Sequence, residues 1–422
     1  MLLREINELT TAISVMRIVA ADIPLPWTLW STVFLPAMLL LTDCAVKVEG
    51  KMQLKAELDA PSVFCNELIS KFGYPCEERQ VITDDGYILA VQRIPHGIQQ
   101  TLTSTRQPVF LLHGLLQGGE AWVLNSPEQS LGFILANVGY DVWIGNLRGT
   151  RWSSKHMSFT NEEKGYWNWS WDEHVAFDLP TMLKLVYETT GSSAKYIGYS
   201  QGTIIFLAAL SQSWVTQYVD QAVLLSPIAY LNHVTSILIN TAAKTSFDQI
   251  ILDAGVVELD VTSGPVVELI KKLCAMMVSN CANLMIDLTG PNCCINNSRM
   301  SYYENYEPQS TSTKNIAHLA QMVRSGKFCK YDHGAKENFI QYGQVDPPIY
   351  ALSKAPKDFP LLLAYGGNDA LADSIDVQHL ISELPCNYQR LYLPKYAHMD
   401  FPLSTSTNND IFEPIASFFS KN

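Results

Sequence analysis

A serine flanked by glycines is the residue in this sequence best suited to covalent chemistry. Gly198, Ser200 and Gly202 form a Gly-x-Ser-x-Gly pattern between a predicted strand that starts near Lys195 and an apolar helical stretch, 203–210. In that strand–turn–helix context a tight, strained turn presents the serine hydroxyl above a sheet. Glycines two residues to either side remove the Cβ atoms that would clash in such a turn. We therefore predict that Ser200 is a nucleophile.

A serine hydroxyl needs a base that takes its proton, and His398 is the candidate base. Where such a turn carries a catalytic serine, the chain order is serine, acid, histidine. Of the histidines after Ser200, only His398 directly follows a predicted sheet strand, which is where catalytic groups of parallel sheets lie. The others fall in a predicted insertion or a helical stretch, and we expect packing or solvent to account for them: His233, His318, His333 and His379.

The acid that orients the histidine should follow the preceding strand. Asp369 does so, after the apolar run 361–365 and the turn residues Gly366 and Gly367. Asp373 and Asp376 are rivals, but they come later, where the pattern becomes helical, and Asp373 is typical of a helix start. We predict that Asp369 holds His398 in the required tautomer and stabilises its protonated form.

The negative charge that develops during acyl transfer needs fixed N–H donors. One donor is the backbone of the residue after the nucleophile, Gln201, and the other comes from the loop after an early strand. That strand starts near Pro108 and ends in His113-Gly114-Leu115-Leu116. We predict the Leu115 N–H as the second donor, with Leu116 as the alternative. We expect His113 to shape the loop and not to act as a base.

The elements that must position these residues form an alternating pattern of short apolar strands and longer helices. This alternation predicts an α/β fold with an eight-stranded, mostly parallel sheet. The first two strands flank Asp84-Asp85-Gly86, a hairpin signal, so they should be antiparallel. The eight strands are predicted to start near Gln80, Ile88, Pro108, Tyr140, Lys195, Gln221, Pro360 and Tyr388.

The strand spacing breaks between residues 227 and 348, which we interpret as a helical cap or lid inserted over the sheet. The predicted organisation is an N-terminal extension (1–50), the first part of the core (51–226), the cap (227–348) and the second part of the core (349–422). We expect one disulfide in the cap, with its pairing open, since five cysteines lie there: Cys274, Cys281, Cys293, Cys294 and Cys329.

The N-terminal extension carries one apolar run, from Trp27 to Leu41. This run is shorter than the roughly 20 residues that a membrane-spanning helix needs, and small residues follow it, as in a signal peptide. We predict a cleaved signal peptide, with translation from Met16 as one hypothesis. The alternatives are an uncleaved membrane anchor and a helix buried in the fold.

Composition narrows the class of protein. The chain of 422 residues is 47% hydrophobic and 17% charged, which suits a packed globular protein. Its net charge of −12 argues against nucleic acid or an anionic membrane as a partner. No zinc-binding motif is present in the sequence and no obligate protein partner is evident, so we predict neither metal nor cofactor. Two Asn-x-Ser sequons, at Asn168 and Asn296, are usable only in a secretory compartment.

Taken together, the motifs resemble those of the acid lipase family, typified by gastric and lysosomal lipases of the α/β-hydrolase superfamily. The resemblance runs from about residue 62 to 418 and includes Gly198-Tyr-Ser-Gln-Gly, with His113-Gly-Leu-Leu upstream and Gly366-Gly-Asn-Asp and Tyr396-Ala-His-Met-Asp-Phe downstream. It implies the α/β-hydrolase fold, with Ser200, Asp369 and His398 as the triad and Leu115 and Gln201 as oxyanion donors.

The resemblance also implies hydrolysis of triacylglycerols or cholesteryl esters at a neutral-lipid surface, a secreted or lysosome-like location and glycosylation. The long N-terminus and the sequence of the cap depart from the family pattern, and the cap sets substrate fit. Two alternatives to a lipase stay open: a short-chain carboxylesterase and a non-catalytic binding protein that keeps the fold.

Overall fold

The computed structural model describes residues 63–98, 106–261 and 284–420, and within them the chain forms one large sheet with helices on both faces. All eight predicted strands are present, each starting within three residues of the predicted position. They are β1 Glu77–Ile82, β2 Tyr87–Ile94, β3 Pro108–Leu112, β4 Asp141–Gly145, β6 Ala194–Tyr199, β7 Val219–Leu225, β10 Leu361–Gly366 and β11 Tyr388–Leu393.

The strand order is β1-β2-β4-β3-β6-β7-β10-β11. β1 and β2 form the predicted antiparallel hairpin, closed at Ile82 and Ile88, and β2 is also antiparallel to β4. From β4 to β11 every neighbouring pair is parallel. The carboxyl ends of β3, β6, β7, β10 and β11 therefore meet at one edge of the sheet.

Two small additions were not predicted. A ninth strand of the large sheet, β5 (Lys155–His156), pairs with β2. Inside the 227–348 stretch, β8 (Glu258–Leu259) pairs with β9 (Thr311–Ser312) in a separate antiparallel sheet. Each of these strands has two residues, too few for the alternation that identifies a strand in sequence.

The described helices of six residues or more occupy the connections between the strands, except the last helix, which follows β11. They are α1 Leu131–Asn137, α2 Leu179–Thr190, α3 Gln201–Ser211, α4 Ile237–Lys244, α5 Phe247–Asp253, α6 Leu284–Thr289, α7 Thr313–Ser325, α8 Ala335–Tyr342, α9 Ser374–Glu383 and α10 Glu413–Phe419. Shorter α-helical turns lie at Trp171–Glu173, Met300–Tyr303 and Asp400–Leu403. None of the helices in the described ranges is long and apolar enough to cross a membrane.

The core lies on both faces of the sheet. Because side chains alternate along a strand, Phe110 and Leu112 of β3 pack on one face with α2, α3 and α9. Val109 and Leu111 pack on the other face with α1 and α10. The parallel strands β3, β4, β6 and β10 are buried along their whole length, which fits a sheet covered on both sides.

Two disulfides join described cysteines. Cys65 bridges to Cys76 near the start of the described chain, and Cys293 bridges to its neighbour Cys294 inside the predicted cap. Cys329 and Cys386 are free and buried. The predictions for the N-terminal apolar run and for Cys274 and Cys281 lie outside the described residues.

Candidate active site

The predicted site residues meet at the carboxyl edge of the parallel sheet. Ser200 lies between β6 and α3, Asp369 follows β10, His398 follows β11, and Leu115 follows β3. Because these strands are close neighbours in the sheet, residues far apart in sequence converge without any long loop.

The turn at Ser200 has the geometry expected of a strained nucleophile turn. Ser200 has φ +52° and ψ −114°, in a region that non-glycine residues rarely adopt. Its N–H donates to the Leu225 carbonyl of β7. A Cβ on Gly202 would lie 2.6 Å from the Leu112 carbonyl oxygen, so only glycine lets α3 begin this close to β3. The turn that carries the serine is therefore held by contacts to β7 and β3.

Ser200, His398 and Asp369 form a continuous hydrogen-bond chain. The Asp369 oxygens lie 3.0 and 2.9 Å from His398 Nδ1. Since a carboxylate only accepts, Nδ1 carries the hydrogen, and Nε2 is left to accept from Ser200 Oγ at 2.8 Å. All three residues are buried, Ser200 with 6% of its surface exposed. The arrangement can move the serine proton to the imidazole.

Asp369 is held as an anion. Burial raises its pKa, but the nearby His398 and the N–H groups of Leu371 and Ala372, both 2.9 Å from Oδ1, outweigh burial and lower the pKa below its ordinary value. The two rival carboxylates have other partners. Asp373 accepts from the Ile375 N–H at the start of α9, and Asp376 binds His233.

The two predicted oxyanion donors lie after β3 and β6, at the same end of the sheet. Gln201 is the first residue of α3, where a backbone N–H has no partner within the helix. Within the described ranges, neither the Gln201 nor the Leu115 N–H has a hydrogen-bond acceptor. Leu116 has φ +59° and its N–H is also free there, so the preference for Leu115 stays a prediction.

His113 orients the loop that carries Leu115. Its Nε2 accepts from the Leu147 N–H at 3.1 Å, so its Nδ1 donates to the Gly114 carbonyl at 2.8 Å. This bond fixes the peptide plane that ends in the Leu115 N–H. Burial lowers the pKa of His113 to about 4. With both nitrogens occupied and the ring neutral, His113 shapes the loop, as predicted, and cannot serve as the base.

Several residues that support the site were missed by sequence reasoning. The Tyr199 hydroxyl donates to the His398 carbonyl at 3.0 Å, and its ring lies against the imidazole. Thr289, at the end of α6, accepts from the His398 N–H at 3.0 Å, and Asn292 accepts from Met399. Of these residues, only Tyr199 lies inside the serine motif, so only Tyr199 could have been found from the sequence. Residues 289–292 contact a segment that is distant in sequence and lie in no motif.

Packing accounts for two of the other histidines that follow Ser200, as expected. His318 is buried and stacks on Trp171 with ring centroids 4.0 Å apart. His379 stacks on Tyr230 at the same distance.

One group in the described ranges has the composition of a metal site: Cys293, Cys294 and Asp400. Its donor atoms are already used. The two sulfurs are bonded to each other, and the Asp400 carboxylate accepts the N–H groups of Cys293, Cys294 and Ala397. This group therefore does not fit a metal ion and instead anchors the 293–294 turn beside His398.

Comparison with known proteins shows the family of this chain. A family model described as a partial alpha/beta-hydrolase lipase region matches residues 65–126, and an alpha/beta hydrolase fold model matches residues 107–259. Triacylglycerol lipase 1 of Arabidopsis thaliana is 42% identical over 84% of this chain and 90% of its own. Gastric triacylglycerol lipase of Bos taurus is 34% identical over 91% of this chain and 98% of its own. The chain belongs to the gastric-type acid lipase family.

A solved structure supports the same fold at greater distance. A soluble variant of monoglyceride lipase from Saccharomyces cerevisiae superposes with a TM-score of 0.55 at 15% identity, covering 81% of this chain and 94% of that one. The predicted α/β-hydrolase fold and the resemblance to acid lipases are therefore confirmed.

Proposed function

We propose that this member of the acid lipase family hydrolyses carboxylic ester bonds of neutral lipids, with triacylglycerols as the principal class and steryl esters as a second. Relatives named triacylglycerol lipase, matched over most of the chain, support this substrate class. The observation that carries the chemistry is the buried chain from Ser200 Oγ through His398 to Asp369, with 2.8 Å between Oγ and Nε2.

The proposed reaction is acylation followed by deacylation. His398 takes the proton of Ser200 as Oγ attacks the ester carbonyl, and the tetrahedral oxyanion accepts the N–H groups of Leu115 and Gln201. His398 then protonates the leaving alcohol. In the second half it activates a water that releases the fatty acid and restores Ser200. Asp369 stays ionised throughout and stabilises the imidazolium.

We further propose that the protein travels through the secretory pathway to an extracellular or lysosome-like compartment and is glycosylated. The apolar run at residues 27–41, the two sequons and the Cys65–Cys76 bridge support this proposal, because disulfides persist in oxidising compartments. Asn168 has an exposed side chain, as a glycan requires.

The test compares the full chain with Ser200→Ala on emulsified long-chain triacylglycerol, an emulsified steryl ester and a soluble short-chain ester. We expect wild-type turnover on the emulsions, and a loss of about 10⁴-fold or more in Ser200→Ala because the base has no hydroxyl to activate. Ser192→Ala, the same change at an exposed serine before β6, is the control and should keep wild-type rates.

Two outcomes would refute the proposal in different ways. Turnover of Ser200→Ala near the wild-type rate would remove the nucleophile assignment. Wild-type activity confined to the soluble ester would replace the lipase by a short-chain carboxylesterase.

A further inference from the structure

Behind the loop that follows β3, four polar side chains form a buried cluster that the proposed reaction does not use. They are Gln117, Glu120, Glu307 and Gln309, which we call the acid–amide cluster. Glu120 is fully buried and Glu307 is 8% exposed. The cation facing both carboxyl groups is Arg151. Its guanidinium donates instead to the carbonyls of residues 305 and 306, so neither acid has an ion-pair partner among the residues that the structure describes.

The two acids have different partners. Both Glu120 oxygens accept hydrogen bonds: Oε2 from Trp152 Nε1 at 2.5 Å and Oε1 from Gln309 Nε2. An oxygen pair that only accepts is that of an ionised carboxylate. Burial raises the pKa of Glu120 as well, but the hydrogen bonds from Trp152 and Gln309 and the charge of Arg151 act against it. We therefore assign the negative charge of the cluster to Glu120, and a second charge on Glu307 in the same buried space is strongly disfavoured.

Glu307 and Gln117 each have one acceptor oxygen that is left unpaired. Gln117 Nε2 donates to Glu307 Oε2 at 2.8 Å. The other oxygens of the same two groups, Glu307 Oε1 and Gln117 Oε1, are buried and have no hydrogen-bond partner in the described part of the chain. Buried polar atoms are almost always paired. A proton on Glu307 Oε1 would supply a donor, because a carboxylic acid and a primary amide can each donate to the other.

The cluster fastens the loop that carries the proposed oxyanion donor. The Gln309 N–H donates to the Leu116 carbonyl at 2.7 Å. A Cβ on Gly118 would lie 2.6 Å from Gln309 Nε2, so the loop backbone rests directly on the 307–309 segment. On the inner side, a Cβ on Gly114 would lie 3.1 Å from Gln117 Oε1. Residues 114–118 are thus held between the cluster and the end of β6.

The protonation state follows from the surroundings. Burial, and then the charge of Glu120, raise the pKa of Glu307 to about 8, against smaller lowering effects of Gln117 and Arg151. Tyr199, from β6, also faces Glu307 and stays neutral because burial raises its own pKa. Glu307 is therefore the uncharged acid at neutral pH.

We propose that Glu307 is a positioning residue that, as the neutral acid paired with Gln117, holds the 115–118 loop in the alignment needed to stabilise the oxyanion. This inference rests on the proposed function. When Glu307 loses its proton to solvent, the pair loses its O–H donor and a second carboxylate stands beside Glu120. The loop then loses its alignment and the transition state loses a donor.

The predicted signature is a fall of kcat on the alkaline side with little change in KM, because the oxyanion forms only in the transition state. Rising pH does not disable the base, which acts in its neutral form. If only the protonated cluster is active, kcat one pH unit above the Glu307 midpoint is about a tenth of its maximum.

The test is Glu307→Gln, assayed for kcat and KM on a soluble short-chain ester on both sides of about pH 8. Glutamine can keep the reciprocal pair with Gln117 but cannot titrate. We expect neutral-pH kcat within about threefold of wild type, and about tenfold more activity than wild type one unit above the wild-type midpoint.

Glu304→Gln, the same change at an exposed neighbour, should keep the wild-type profile. Gln117→Leu should lower kcat about 10- to 100-fold at neutral pH with KM within about threefold.

An alkaline limb of Glu307→Gln that superimposes on that of wild type would overturn the inference. If Glu307→Gln does not fold, infrared spectra of the wild type across pH test the protonation of Glu307 instead. A protonated-carboxyl carbonyl band that disappears with a midpoint near pH 8 supports the pair, and no such band at pH 7 contradicts it. If Ser200→Ala is inactive but the alkaline limb of Glu307→Gln matches that of wild type, only this inference is rejected. If Ser200→Ala is active, the proposed function itself is rejected.

Discussion

At the scale of single residues, the chemistry of Ser200 depends on partners that leave each group one role. Asp369 accepts two backbone N–H groups and the His398 Nδ1–H, so His398 Nε2 can only accept. Were Asp369 neutral, the tautomer of His398 would no longer be specified, and Nε2 could carry the hydrogen and stop accepting from Ser200. The charge on Asp369 is therefore the property that we expect activity to follow.

Asp369→Asn keeps the size of the side chain and removes this charge. We expect kcat on a soluble ester to fall by about 10³- to 10⁴-fold, because the amide can donate to Nδ1 and favour the wrong tautomer. The measurement is steady-state kinetics at neutral pH, with KM expected to change little.

Asp373→Asn is the matched control. Asp373 caps α9, and asparagine caps as well as aspartate, so its activity should equal that of wild type. Equal losses in the two variants would mean that Asp369 is not the acid of the triad.

The residues that carry the proposed chemistry could be predicted because each lies in a local signal. Ser200 is framed by glycines, and Asp369 and His398 each follow an apolar strand. Glu307 and Gln117 could not be predicted, since they are 190 residues apart and neither lies in a motif. Their relation depends on burial and on which atoms lack partners, and only the three-dimensional arrangement supplies that information.

At the scale of elements, the close contact between α3 and β3 sets the positions from which both proposed oxyanion donors start. Gln201 begins α3, and the Leu115 loop begins where β3 ends. Gly202 lets the two backbones approach, with its Cβ position 2.6 Å from the Leu112 oxygen and 3.0 Å from the His113 oxygen. A displacement of α3 would therefore change the spacing between the donors.

Gly202→Ala should force that displacement. We expect a loss of about 1–3 kcal/mol in the free energy of unfolding, measured by urea denaturation. We also expect at least a tenfold lower kcat, since small shifts of the N–H donors weaken their stabilisation of the transition state.

Gly191→Ala separates the two effects. Gly191 ends α2 with φ +69° and open space around it, so alanine there should cost about 1–2 kcal/mol of stability and leave kcat unchanged. Wild-type kcat in Gly202→Ala would contradict the role given to the close contact.

The strands were predictable as elements because buried parallel strands are short apolar runs separated by helical patterns. Their order in the sheet was not. The placement of β4 between β2 and β3 depends on packing between segments and leaves no periodic signal. The bridge between Cys293 and Cys294 illustrates the same limit, because cysteine spacing alone does not determine pairing.

At the scale of the whole molecule, the secretory proposal makes a prediction about Asn168. The side chain is exposed, whereas Ser170 of the same sequon is buried and caps the Trp171–Glu173 turn. Asn168→Gln therefore removes the glycan acceptor without disturbing the fold.

When the chain is expressed in a secretory host, wild type should show a glycosidase-sensitive mobility shift that is smaller in Asn168→Gln. Asn161→Gln, at an exposed asparagine outside any sequon, should match wild type. The same material tests the predicted signal peptide by N-terminal sequencing, with a start near residues 45–55 expected. An unchanged shift in Asn168→Gln, or retention of Trp27, would contradict the corresponding part of the proposal.

The central claim is that the fold makes one serine hydroxyl a nucleophile, and covalent labelling tests it most directly. The full-length protein should be treated with a fluorophosphonate and the modified peptide mapped by mass spectrometry. We predict a single label on Ser200 in the wild type and none in Ser200→Ala, with labelling of His398→Ala slowed by orders of magnitude because no base takes the proton. Ester hydrolysis that persists while Ser200 remains unmodified, or a label on a different residue that abolishes activity, would contradict the account.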